Sequence, residues 1–291
     1  MSAPDEASQP AVAAAAAAPD DANDLRGYHF KRLLGSKLTW ALILGATIAA
    51  GVAAAVFVSA LVGGGAALGV FLLSLLIAFG IADSRAEDAF FQVYARDHGL
   101  ELGGRSPLPD STPLLCKGDD RYAERTLAGP IGAGVEGILA LYTYEEESRD
   151  SNGNKETSYY RYTVGLVPVP ECAQPVPELY CQRKFGLRAL EGFEDAFRTK
   201  KERVRLESEV LDQKYEIFAG KGQDPNWLRQ LFAPTFIVWL TEAAPAKFAF
   251  ELVDGNLCCY VSGHKKKAAE LEQIGAATAA VAQRLREESL E

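Results

Sequence analysis

Residues 38–82 read LTWALILGATIAAGVAAAVFVSALVGGGAALGVFLLSLLIAFGIA, 45 consecutive positions without one Asp, Glu, Lys or Arg. As a single helix this run would measure roughly 68 Å at about 1.5 Å per residue, more than twice a hydrocarbon core of about 30 Å. Two spans of about 20 residues fit instead. Gly63, Gly64 and Gly65 stand where such a chain would reverse, because three successive glycines make helix costly. The run is therefore read as a two-helix transmembrane hairpin, with spans at about 38–61 and 66–82 and its turn at the glycines. Small residues such as Gly45, Ala46, Ala49, Ala50 and Ala53 let membrane helices approach closely, within the hairpin or against a second copy.

The flanks give an orientation. Arg26, Lys31, Arg32 and Lys37 precede the run, Arg85 and Arg96 follow it, and the loop between the spans carries no charge. Positive charge favours the cytoplasmic side, so a multi-pass cell-membrane protein with both termini in the cytoplasm is expected. A cleaved secretory signal would need a much shorter apolar run. Three regions follow from this: a disordered Ala/Asp-rich tail at 1–25, the juxtamembrane segment and two spans at 26–83, and a cytoplasmic domain at 84–291.

From Asp83 onward the chain holds 34 acidic and 26 basic residues, a net of −8 within a whole-chain −9. Such a balance argues against nucleic acid as a partner, since phosphate backbones demand a basic footprint. The five cysteines, Cys116, Cys172, Cys181, Cys258 and Cys259, are odd in number and show no disulfide framework, in keeping with a reducing compartment.

The domain reads as α+β, with antiparallel strands and flanking helices. Residues 86–97 form a helix stopped by His98-Gly99, and the proline-bearing residues 100–113 form a connector. Strands are expected at 122–127, 137–144 and 159–169, the last two flanking a charged tip with Asn152-Gly153. Further strands are expected at 179–184, 204–209 and 213–218. Asp224 caps a helix with Pro225 at its first position, and the helix continues through Phe236 to Leu240. Asp254-Gly255 is the strongest two-residue hairpin signal in the chain. Residues 266–288 form a helix with Leu271, Ile274, Thr278, Val281 and Leu285 on one face.

Residues 209–261 contain E-V-L-D-Q-K-Y-E-I-F, then L-F-A-P-T-F, then F-A-F-E-L-V-D-G-N-L-C-C-Y-V. This pattern resembles an uncharacterised bacterial family of membrane-anchored proteins, classed as a domain of unknown function. Tyr215, Ile217 and Phe218 stand at the family's aromatic strand, Leu231, Pro234 and Phe236 at its helix, and Asp254-Gly255 at its hairpin turn. Ala233 departs from the family's threonine, and Ala219-Gly220 from its polar pair. The resemblance implies an anchor and an α+β fold and supplies no activity.

Candidate chemistry is sparse. Gly132-Ala133-Gly134-Val135-Glu136-Gly137 matches G-x-G-x-x-G, but residues 138–144 read as a strand rather than the helix that binds a pyrophosphate, leaving a turn between strands. Cys258 and Cys259 lie on one strand and point to opposite faces, so that one can be buried and the other exposed and they cannot jointly ligate a metal, with His264 just beyond the strand as the candidate base. Cys172 and Cys181 lack the spacing of a zinc site. The acidic run Glu145, Glu146, Glu147 and Asp150 reads as a solvated hairpin tip. Two basic groups, Arg198, Lys200, Lys201, Arg203 and Arg205, and Lys265, Lys266 and Lys267 beside His264, are candidate contacts to anionic lipid head groups on one face. Neither span carries an ionisable residue to mark a transport pathway. The expected function is a non-catalytic binding or scaffolding module on the lipid bilayer, with no cofactor and no metal. The alternative is a membrane-tethered thiol-dependent hydrolase using Cys258 or Cys259.

Overall fold

The computed structural model describes residues 36–57, 60–149, 153–184 and 201–290. The 1–25 tail, the juxtamembrane basic residues Arg26, Lys31 and Arg32, the tip residues Asp150, Ser151 and Asn152, and Arg198 and Lys200 lie outside them. The chain divides into two compact units: the first runs to Tyr94 and includes Lys266–Ala268, and the second holds Ala95–Lys265 and Ala269–Glu291.

In the first unit, α1 spans Lys37–Phe57 and α2 spans Ala60–Asp97, its last residues belonging to the second unit. The glycine turn is corrected: Gly63, Gly64 and Gly65 lie inside α2, and α1 ends before them at Phe57. Glycine costs about 1 kcal/mol per position in a helix. The triplet is followed by strong apolar helix formers, and the helical hydrogen bonds run through it. Among the described residues one helix is long and apolar enough to cross a membrane, Gly65–Asp97 within α2, and the apolar stretch Thr39–Ala53 of α1 is shorter. Large apolar side chains on both helices face outward, Leu42, Ile48 and Val56 on α1 and Leu68, Leu72 and Leu76 on α2. Further along α2, Phe90 packs edge-on against Phe91 and stacks on Tyr94, all three buried.

The second unit is α+β, built on a nine-stranded antiparallel sheet. The strands are β1 Glu101–Gly103, β2 Asp120–Gly132, β3 Val135–Arg149, β4 Lys155–Pro168, β5 Glu178–Arg183, β6 Lys201–Val204, β7 Tyr215–Gly220, β8 Ala249–Val253 and β9 Asn256–Ser262. Their order across the sheet is β1-β2-β3-β4-β9-β8-β5-β7-β6. Helix α2 stops where Gly99 takes a left-handed φ of 66°, with Gly99 N–H donating to the Arg96 carbonyl and Leu100 N–H to the Ala95 carbonyl. The expected connector then contributes the edge strand β1, paired with β2 through Glu101 and Ala128.

Two tight turns fix the register. Asp254 and Gly255 have φ of 47° and 74° and join β8 to β9 with Val253 opposite Asn256. Ala133 and Gly134 have φ of 45° and 72° and join β2 to β3 with Gly132 opposite Val135. Positive φ at both central residues is the hairpin geometry that matches strand twist. The dinucleotide-like glycines are thus a β-hairpin turn.

Short helices α3 Glu209–Lys214, α4 Pro225–Leu231 and α5 Pro234–Val238 follow β6 and β7. The strands expected at 204–209 and 213–218 are displaced: β6 ends at Val204, and Ser208 caps α3 by accepting the Leu211 N–H. Beyond α5 the backbone widens into a single π-type turn, Trp239–Ala243, so the continuation to Leu240 is not regular α-helix.

Helix α6, Ala268–Leu290, covers one face of the sheet with the expected stripe of Leu271, Ile274, Thr278, Val281 and Leu285. It approaches closely because glycines face it. A Cβ on Gly165 would fall 2.2 Å from Thr278 Oγ1, and one on Gly275 would fall 2.1 Å from the Ile131 carbonyl oxygen. The opposite face is roofed by the segment between β1 and β2. There Leu114 and Leu115 are buried over Ala140, Tyr142, Tyr144, Tyr162, Val164, Cys258 and Tyr260. Arg121 anchors this strap with paired 3.0 Å bonds to both Asp110 carboxylate oxygens.

Candidate functional site

The chemistry-bearing residues divide into a sealed interior and two charged ends. In the interior, Glu251 on β8 is fully buried and lies opposite Cys258 and Tyr180 in the sheet, on the strap side. Its Oε2 accepts the Leu114 N–H at 3.0 Å and its Oε1 the Tyr260 hydroxyl at 3.3 Å. Burial raises its pKa, and the Leu114 amide and Tyr260 hydroxyl oppose that rise. Tyr142 completes the clamp by donating to the Leu114 carbonyl at 3.1 Å. A buried carboxyl group with each oxygen bonded to the fold holds the strap down.

The expectation that one of the adjacent cysteines is exposed is corrected. Cys258 faces the strap, Cys259 faces α6, and both are fully buried, because this sheet is covered on both sides. Burial pushes both thiols far above their ordinary range, opposite to what a nucleophile needs. His264 is engaged elsewhere. Its Nε2 lies 3.1 Å from the Tyr142 carbonyl, which can only accept, and 3.3 Å from Thr143 Oγ1, while Nδ1 lies 3.7 Å from Glu124. Tyr142 and Thr143 stand four residues along β3 from the rows of Cys258 and Cys259, about 13 Å away. Neither Cys258 nor Cys259 pairs with His264. Cys172 is likewise buried, with Sγ 3.2 Å from Ser289 Oγ, and Cys116 is exposed.

Glu145, Glu146 and Glu147 are strand residues of β3 rather than tip residues. They pair with Tyr159, Ser158 and Thr157, and Glu147 meets Lys155 across the ladder. Among the described residues no group of three or more His, Cys, Asp or Glu is placed to hold a metal.

Within the sheet unit Lys201 and Lys265 stand apart. Lys201 stands opposite Gly220, in the row of Glu178, Val253 and Asn256, whereas Lys265 leaves the sheet beyond Ser262. Six residues of β9, about 20 Å, and four strand steps, about 19 Å, separate them. The grouping of Lys201 with Lys265 on one surface is therefore corrected. Lys201 lies across the Tyr180 ring, 3.5 Å from its centroid, and 3.5 Å from Glu178, with its pKa lowered by burial. Arg203 pairs with Glu216 at 3.4 Å. At the other end Lys265 pairs with Glu270 at 3.2 Å, and Lys266 pairs with Glu87 of α2 inside the first unit. Glu87 lies five residues past Ala82, about 7.5 Å along the helix from the end of the charge-free run. Of the two groups, Lys266 and Lys267 belong to the unit that carries the apolar helices.

Cavities open on the sheet unit at β6 and beside the strap. One, of about 170 Å³, lies between β6 and α4. Another, of about 390 Å³, lies at the strap's edge, lined by Pro109, Ile138, Leu166 and Leu257 with Asn256 and Glu136 at its polar positions.

No protein-family model, curated protein or solved structure matches the chain. The residues that carry the family resemblance fall in β7, in α4 and α5, and in the β8–β9 turn.

Proposed function

We propose that the chain is a membrane-anchored, non-catalytic binding module, whose helices α1 and α2 form a bilayer hairpin and whose sheet unit faces the cytoplasm. One observation carries this reading: the outward-facing leucines, isoleucines and valines of α1 and α2, among them Leu42, Ile48, Val56, Leu72 and Leu76, 52% to 73% exposed. An apolar surface of that extent is comfortable in hydrocarbon and costly in water. The 23 charge-free residues of α2, 60–82, rise about 35 Å, a match to the core of a bilayer, and the 21 residues of α1 rise about 32 Å around the shorter apolar stretch Thr39–Ala53. Hydrocarbon also favours helix through Gly63–Gly65, because an unsatisfied backbone group there costs several kcal/mol. The positive flanks favour cytoplasmic ends, and the likeness of residues 209–261 to a membrane-anchored bacterial family points the same way.

The sealed thiols of Cys258 and Cys259, a clamped Glu251 and a structurally engaged His264 support binding over catalysis. The membrane-facing basic residues in this reading are Lys265, Lys266 and Lys267, since Lys266 is tied to Glu87 just past the apolar run. Alkaline washing of membranes from cells expressing the full chain tests the anchor. Retention in the pellet is expected, and release into the wash with peripheral proteins would overturn it. For the head-group contact, Lys266→Glu with Lys267→Glu should weaken hydrogen-exchange protection of residues 263–268 in nanodiscs of anionic lipid. Unchanged protection would remove that part.

A further inference from the structure

We infer that the cavity at the strap's edge binds a small molecule with a primary ammonium group on an apolar body, an arylalkylamine in its simplest form. This goes beyond the anchored-module reading and stands on residues of the sheet unit alone.

The strand register builds the cavity. Ala140, Val164, Leu166 and Cys258 face the strap, so alternation along each strand puts Ile138 and Asn256 on the same face. Ala128 lies opposite Ile138, and Ile138 opposite Leu166, so three apolar side chains form one row across the sheet. Two residues before Ile138 and Cys258 on the same face stand Glu136, opposite Pro130, and Asn256, opposite Pro168. Leu166 is buried, whereas Glu136 and Asn256 are exposed. The apolar row is thus the floor, and the polar row stands at the mouth.

The strap supplies a wall that is already fixed. Pro109 and Ser111 line it and flank Asp110, whose two carboxylate oxygens are each held by Arg121 at 3.0 Å. Ser111 N–H donates to the Pro109 carbonyl at 2.8 Å, and three residues on, Leu114 is clamped by Glu251. A wall ordered in advance spares a ligand the entropy of ordering it. The volume of about 390 Å³ and the apolar lining with a few polar groups are those of a small-molecule pocket.

The polar groups choose the ligand's charge. Asn256 uses its amide nitrogen on the Val253 and Asp254 carbonyls, at 3.3 Å each, which leaves Oδ1 to accept from a ligand. Glu136 is the one charged side chain among the described lining residues, and its carboxylate only accepts. An ammonium group offers three donors and no acceptor, and its charge complements Glu136. Glu136 and Asn256 lie two strand steps apart, about 10 Å at the backbone, a gap that two such side chains can close around one ammonium group. The ligand's apolar body then rests on Ala128, Ile138 and Leu166.

The test uses the full chain in nanodiscs of neutral phosphatidylcholine, with isoleucine and leucine methyl groups labelled for NMR and empty nanodiscs as the control for partition into lipid. Phenylethylamine should shift the Ile138 and Leu166 methyl signals saturably, phenylethanol about three- to fivefold more weakly, and phenylpropionate more weakly still. Glu136→Gln should bring phenylethylamine down to the affinity of phenylethanol and leave phenylethanol unchanged. Ala128→Leu and Ser111→Trp, which fill the cavity from the floor and from the wall, should each remove the response to both compounds with thermal unfolding unchanged. Absence of a saturable shift at Ile138 and Leu166, or an undiminished response in the filled variants, would overturn the site. Equal affinity for amine and alcohol, or a Glu136→Gln variant that binds the amine as the parent does, would overturn the ammonium assignment.

Discussion

Replacing Gly275 by alanine tests how α6 is held on the sheet, and the sign of its effect is diagnostic. In an exposed helix this change stabilises by roughly 1 kcal/mol, because alanine is the better helix former. Here the added Cβ would stand 2.1 Å from the Ile131 carbonyl oxygen, a backbone atom at the end of β2, and 3.5 Å from Leu139 Cδ1. Carbon and oxygen need about 3.2 Å, so α6 must retreat by roughly 1 Å along the line where Leu271, Ile274, Thr278 and Val281 interlock with the sheet. Overpacking of a tight core costs about 1–3 kcal/mol. Contact with backbone rather than a mobile side chain puts the cost at the upper part of that range. After subtracting the propensity gain, a net loss of about 1–2 kcal/mol remains, or roughly 2–8 °C in Tm for a domain of this size. Denaturation of the full chain in detergent, followed by tryptophan fluorescence, reads it directly, since Trp227 Nε1 donates to the Glu288 carbonyl at the end of α6. A Gly275→Ala variant as stable as the parent, or more stable, would refute the close approach.

Gly165→Ala should be destabilising for a related reason, and Thr278→Ala should relieve part of its cost, because the added Cβ meets the threonine hydroxyl at 2.2 Å; strictly additive effects in the double variant would contradict this packing. Glu251→Ala should cost several kcal/mol, by leaving the Leu114 N–H unpaired and a void under the strap. Glu251→Gln keeps both contacts without the buried charge. Since the folded pKa of Glu251 is raised, its contribution is complete below the ordinary carboxyl range and is lost as pH rises through the folded value. The stability of Glu251→Gln relative to the parent should therefore increase from pH 4 towards pH 8, and a flat difference would show that Glu251 does not titrate in this surrounding. A maleimide at neutral pH should label Cys116 promptly and the four buried cysteines only on unfolding; fast labelling of Cys258 or Cys259, read by peptide mass, would reopen thiol chemistry.

Elements with a local chemical signature were legible from the sequence. Asp254-Gly255, the Asp224-Pro225 cap, the Gly99 stop and the 3–4 spacing of Leu271 to Leu285 each state their geometry within a few residues. Gly63–Gly65 misleads because propensity scales are referenced to water, while the segment's surroundings set how much an interrupted helix costs. The strand expected at 204–209 runs past the end of β6 at Val204 because it includes Ser208, the cap of α3, and Glu209, its first residue. The strap was illegible, since the Leu114–Glu251 bond joins residues 137 positions apart. One signal was available: β8 and β9 read AFELV and NLCCYVS, nearly continuous apolar runs, the pattern of strands covered on both faces. It implies that both cysteines are buried and that the lone glutamate within is deliberately paired. The basic residues were legible as a composition, but the separation of Lys201 from Lys265 follows only from strand order and register.

The most direct test of the anchored-module account is the sidedness of Cys116, the exposed thiol of the sheet unit. Sealed right-side-out and inside-out membrane vesicles carrying the full chain would be treated with a membrane-impermeant maleimide. The account predicts labelling of Cys116 in inside-out vesicles and protection in right-side-out ones until detergent is added. Labelling in right-side-out vesicles, or recovery of the chain in the soluble fraction before any vesicles are made, would contradict it.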